Sequence, residues 1–276
     1  MIMKKIFLGM IGLMGLMGLW GCDKIDESEY TIYDGAVVSW TAGSPIANPV
    51  QRVYVEKYTG PRCSNCPTAD VTLAGIHNDN VVVVSINHPT GQGIPYPGEP
   101  DMRTDGGTAW DQYFGINAIP AAYINRDRST QYLGEMGNIV SAVNSALAEA
   151  PSVALEVSAT HSAKVDITVD LQFLRPFSDG VTLTAALIED SLVYKQLMPD
   201  NSVDEAYAHN HMLRKVITGF WGRDIDGNAS EGEAVRGTLS FTPADDINLA
   251  NSHIVVFVSD KASRKVLNCA SCRISE

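Results

Sequence analysis

A Cys-x-x-Cys set between a β-like run and a helix-like run constrains this chain more than any other stretch. The segment reads Thr59-Gly60-Pro61-Arg62-Cys63-Ser64-Asn65-Cys66-Pro67. Residues 53–56, with Val53, Tyr54 and Val55, predict a strand before it. Residues 68–77, with Val71, Leu73 and Ile76, predict a helix after it. Cys63 then lies where a helix N-terminus directs free N–H groups and the positive end of its dipole. That placement favours a thiolate, the reactive form of cysteine. Cys66 lies one turn on, near enough to close a disulfide and release a bound partner.

A second piece lies downstream, in Ile116-Asn117-Ala118-Ile119-Pro120-Ala121-Ala122-Tyr123-Ile124. A hydrophobic-Pro step entering an apolar strand can carry a cis peptide, which is essentially a proline phenomenon. With the Cys-x-x-Cys, this segment resembles the thioredoxin superfamily. The resemblance implies that Pro120 is the cis proline beside the cysteines and that Ile119 lends backbone hydrogen bonds in a substrate groove. It also implies Cys63 as the attacking thiolate and Cys66 as the resolving thiol. Cys63 and Pro120 are 57 residues apart, and the excess falls in a Gly-, Pro- and Asp-rich stretch, residues 88–108, read as an inserted loop. Glu56 lies one residue further from Cys63 than the buried acid of that superfamily. A one-residue shift in a strand reverses the face.

The chain opens with Lys4 and Lys5, a short apolar core and Gly21-Cys22. This predicts a signal peptide over residues 1–21. Leu19-Trp20-Gly21-Cys22 resembles the bacterial lipobox, which implies lipidation of Cys22 and a tether over residues 22–50. The net charge of −12 becomes −14 once Lys4 and Lys5 leave with the signal. Such an acidic chain disfavours nucleic acid, and membrane attachment would come from the acyl chains.

Organisation follows from periodicity. The β-branched run at residues 81–86 predicts a central strand covered on both faces. A short helix at residues 108–114, a strand at 121–125 and a helix at 139–149 follow, the last striped by Val140, Val143 and Leu147. From Ser152 the period changes to two, as in Val165, Ile167, Val169, Leu171 and Phe173. The fold class expected is an α/β thioredoxin-like domain over residues 51–150 followed by an all-β, immunoglobulin-like antiparallel sandwich over residues 151–276.

The whole plan resembles the "twenty-eight-kilodalton outer membrane protein" family of Bacteroidetes lipoproteins. Residues 59–67 and His209-Asn210-His211-Met212-Leu213-Arg214-Lys215 carry that resemblance. It implies an outer-membrane address. One function is a thiol-disulfide oxidoreductase acting on protein or peptide thiols and disulfides, with no organic cofactor. The alternative is a non-catalytic surface binding or assembly lipoprotein that uses the thioredoxin fold as a scaffold.

Other residues carry weaker signals. Cys269 and Cys272 form a second Cys-x-x-Cys, read first as a structural disulfide of an oxidising compartment. A redox partner for Cys63–Cys66 or a four-cysteine zinc site is the alternative there. His209 and His211 would share one face of a strand, and packing is favoured over metal. His88 lies near the expected site edge. Residues 224–228 read as a β-turn. No metal is assigned to the chain.

Overall fold

The computed structural model describes residues 35–134, 136–225 and 229–276. Cys22, the signal peptide and residues 226–228 lie outside the described residues.

Strand β1 is Ser39–Ala42, β2 is Val53–Thr59, and β3 is Val81–Asn87. Helix α1, Cys66–Ala74, lies between β2 and β3. Helix α2, Asp105–Phe114, is followed by β4 (Ala121–Ile124), β5 (Gln131–Leu133) and helix α3 (Ile139–Leu147). Strands β6 (Val153–His161), β7 (Val165–Phe173) and β8 (Val181–Glu189) come next. A hairpin of β9 (Leu192–Leu197) and β10 (Val203–His209) follows. The chain ends with β11 (Met212–Val216), β12 (Arg223–Asp224), β13 (Ala234–Phe241), β14 (Ser252–Asp260) and β15 (Val266–Ser275).

Local chemistry explains several of these limits. Thr104 caps α2 by accepting a hydrogen bond from the Gly107 N–H, and Gly115 closes it at φ 65°, a left-handed value that suits glycine. The helices bury narrower stripes than periodicity predicted. Ile139 and Val143 of α3 are buried whereas Val140 is exposed. Leu73 of α1 is buried and Val71 points to solvent.

The expected α/β thioredoxin-like domain followed by a separate immunoglobulin-like sandwich does not form. The structure is mostly β, and a single mixed sheet of 13 strands contains strands from both sides of residue 150. Its order is β1-β13-β7-β6-β15-β14-β8-β11-β3-β2-β4-β5, with β12 attached to β8. Strand β11 makes the join. It pairs antiparallel with β8 and meets β3 in parallel at Met212 and Ser85.

The reason lies in β8 and β14, which are apolar on both faces. Leu183, Ala185 and Leu187 of β8, with Ile254, Val256 and Val258 of β14, face a core shared with β6, β7 and β13. Ala186, Ile188, Val255 and Phe257 face a second core with Tyr54, Val82, Val84 and Trp110 of the N-terminal half. A free two-layer sandwich would leave that second face in water, at about 25 cal/mol per Å² of apolar surface. The opposite face of β2 and β3, with Val53, Val55, Val81 and Val83, packs under α1 and α3.

Candidate functional site

Strand β2 is buried along its length and delivers Thr59 to the cysteine loop. The Cys63 N–H donates to the Gly60 carbonyl at 3.1 Å, and the Cys66 N–H to the Cys63 carbonyl at 3.2 Å. The loop is therefore a turn that winds directly into α1. Pro67 stands in the first turn of α1, where a missing N–H leaves no helical bond unmade. Cys63 and Cys66 form a disulfide, with Cα atoms 5.4 Å apart. They are only 2% and 1% exposed.

Two segments pack around this loop. From residues 88–96, the Gln92 carbonyl accepts from the Arg62 N–H at 3.0 Å. The Arg62 guanidinium donates to the Pro95 carbonyl at 2.7 Å and lies over Tyr96. Gly60 permits this approach, since a Cβ there would stand 2.4 Å from the Gln92 carbonyl oxygen. From the β9–β10 hairpin, Gln196 Nε2 donates to the Cys63 carbonyl at 2.9 Å. The Leu197 N–H donates to the Pro61 carbonyl at 2.8 Å.

Beneath the hairpin lies a layer of buried and half-buried polar groups. Lys57 pairs with Asp70 of α1, and Asp70 Oδ2 accepts from the Tyr207 hydroxyl at 3.1 Å. The His209 ring stacks on Tyr194 with centroids 3.6 Å apart. Burial lowers its imidazole to about 4, so His209 is neutral at neutral pH. Burial likewise pushes the Tyr194 and Tyr207 hydroxyls upward. The layer consists of neutral rings and one matched ion pair, a composition that seats the hairpin.

The two residues before Tyr58 divide between two cores. Glu56 is fully buried, accepts from the Tyr58 hydroxyl, and pairs with Arg126 at 2.6 Å. Arg126 lies over Trp110 at 4.1 Å and Phe257 at 4.7 Å. Lys57 points the other way, toward α1. Glu56 therefore lies on the side of Trp110 and Lys57 on the side of α1.

The remaining sequence candidates lie on elements that flank β2, whose Tyr58 pairs with Ala121, the residue after Pro120. The Ile119–Pro120 bond is cis, Pro120 is buried, and its carbonyl accepts from the Gly134 N–H at 3.0 Å. Ile119 is half-buried against the core that contains Trp110. His88 donates its N–H to the Thr59 carbonyl, and its ring joins Asp111 at 2.7 Å and Thr90 at 3.2 Å. It therefore ties the inserted loop to β2 and α2.

Two expectations are corrected. Cys269 and Cys272 are free thiols. They stand in the regular strand β15, opposite Phe257 and Ile254 of β14. Residues three apart in a strand point to opposite faces, which keeps their sulfurs apart. Burial pushes the two thiols up to about 12 and about 11, so neither is a ready nucleophile. His209 and His211 do not share a strand face. His209 ends β10, whereas His211 sits in the following turn at φ 58° and meets Asp190.

Sequence reasoning missed the β9–β10 hairpin, although Leu192-Val193-Tyr194-Lys195-Gln196-Leu197 ahead of Pro199-Asp200-Asn201 carries a strand-and-turn signal. It also missed Arg126. An Arg just past an apolar strand gives no local sign that it turns inward.

The fold defines a β-rich class of protein built on one large mixed sheet. Residues 107–276 match the family described as "Outer membrane protein Omp28". The chain belongs to that family, and its place is the outer membrane. Among solved structures, it is similar to HBP35 of Porphyromonas gingivalis, at 16% identity and a TM-score of 0.64, over 83% of this chain and 77% of that one. That likeness shows a shared fold. A domain of the outer membrane lipoprotein Omp28 from Porphyromonas gingivalis is 19% identical, with a TM-score of 0.32, over 46% of this chain and 91% of that one. No curated protein matches the chain in sequence.

Proposed function

We propose that this protein is a non-catalytic binding or assembly protein of the outer membrane, with the Cys63–Cys66 disulfide as a structural clip. The observation that carries this reading is the burial of both cysteines, at 2% and 1% exposure, beneath a hairpin hydrogen-bonded to their loop. Thiol–disulfide exchange needs a thiolate to approach a sulfur in line with the S–S bond. Here that approach meets packed protein. The disulfide closes a loop of four residues, for which chain entropy gives roughly 2 kcal/mol. The exposed turns between strands are left to meet partners.

The test is reactivity of the native protein. Glutathione followed by alkylation under native conditions should label Cys63 and Cys66 slowly, at a rate that follows global unfolding. Cys63→Ser/Cys66→Ser should fold and keep its outer-membrane placement. Rapid equilibration with glutathione, together with peptide disulfide exchange lost in Cys63→Ser, would overturn the proposal in favour of thiol-disulfide oxidoreduction.

The proposal includes an acyl anchor on Cys22. Gly21-Cys22 at the end of an apolar core supports it. Among the described residues no helix is long and apolar enough to cross a membrane. Wild type should enter the detergent phase with the intact mass of an acylated Cys22, and Cys22→Ala should not. Equal partitioning of the two would refute the anchor.

A further inference from the structure

Four stretches of sequence far apart in the chain bring three imidazoles around one carboxylate. Asp190 follows β8. Its Oδ1 accepts from the His211 N–H at 2.6 Å and lies 3.1 Å from His211 Nδ1. Its Oδ2 lies 3.4 Å from Nε2 of His253, on β14. His77, beyond α1, packs its ring 4.4 Å from that of His211. The four side chains line an open cavity of about 330 Å³ with Asp79, Cys272 and Arg273. Asp190, His211 and His253 are 20–25% exposed, so protons reach them from solvent.

The position gives this cluster leverage. His211 is the residue just before β11, the strand that joins the two halves of the sheet. Among the described residues β11 and β3 pair at Met212 with Ser85, and the Ser85 N–H donates to the His211 carbonyl at 2.7 Å. Whatever holds His211 also holds this junction.

We propose that His77, His211, His253 and Asp190 form a proton-sensitive latch on the junction between β3 and β11. The charges work as follows. With neutral rings, Asp190 is held by the His211 backbone and by both imidazoles. One added proton makes an ion pair with Asp190 and does no harm. Further protons bring His77 and His211 into like-charge contact against a single carboxylate. Asp79 and Arg273, which also face the cavity, are opposite in sign and offset one another. The Cys272 thiol, pushed up by burial to about 11, stays neutral.

Burial and the neighbouring His211 lower the His77 imidazole from its ordinary value. An opened latch therefore binds the His77 proton more tightly than a closed one, and opening is favoured as pH falls from about 6.5. Among the described residues no group of three or more His, Cys, Asp and Glu is placed to hold a metal ion.

The test is amide hydrogen exchange of the full protein at pH 7.5 and 5.5, corrected for the intrinsic rate. Peptides covering residues 83–87 and 209–216 should lose protection at pH 5.5, while those from β6 and β7 keep theirs. His77→Phe retains a ring against His211 but cannot be charged. It should be protected at both pH values. His77→Gln supplies a second uncharged side chain in case the larger ring disturbs folding. Wild-type protection unchanged at pH 5.5, or an acid loss that persists in both variants, would overturn the latch.

Discussion

Replacing Arg126 with methionine lowers folding stability by about 3–5 kcal/mol. The guanidinium is 2% exposed and Glu56 is fully buried, so the variant leaves a carboxylate in the core without its partner. Arg126 also loses its stacking on Trp110 and Phe257, and its Nη2 already lacks a hydrogen-bond partner among the described residues. Glu56→Gln/Arg126→Met removes both charges and should restore a large part of the loss. Urea unfolding of the wild type and the two variants decides the matter. A loss below about 1 kcal/mol in Arg126→Met would show that the pair is not desolvated as described.

Phe257→Ala should cost about 3–5 kcal/mol and should weaken both halves of the protein together. Phe257 belongs to β14, late in the chain, yet its ring lies 4.7 Å from Tyr54 and 6.1 Å from Trp110. Its removal opens a cavity in the core shared by the two halves. Far-ultraviolet circular dichroism reads mainly the strands, and tryptophan fluorescence reads the surroundings of Trp110 among others. Both should shift to lower urea by the same amount, in a single transition. Two separated transitions, with only the later one moved, would mean that the halves fold as independent domains and that the shared core contributes little.

Several features of this protein were legible in its sequence. The Cys-x-x-Cys at a strand–helix junction could be placed because proline, glycine and β-branched residues act on their immediate neighbours. The reading of β3 as a strand covered on both faces came from Val81-Val82-Val83-Val84 alone. The same signal was present in Ile254-Val255-Val256-Phe257-Val258 and in Thr184-Ala185-Ala186-Leu187-Ile188. It announced two buried faces, which a two-layer sandwich cannot supply, and it was the clue to the continuous sheet.

What the tertiary structure alone decided concerns partners. A strand's pattern states how many of its faces are dry but not which distant strand lies beside it. The join through β11, the hairpin over the cysteine loop, and the meeting of His77, Asp190, His211 and His253 are contacts between stretches far apart in sequence. Cys269 and Cys272 show the converse. Their spacing suggests a bridge, and the extended geometry of β15 sends them to opposite cores. Periodicity and turn chemistry reach only a few residues along the chain, whereas burial is set by whatever the completed sheet brings to each face.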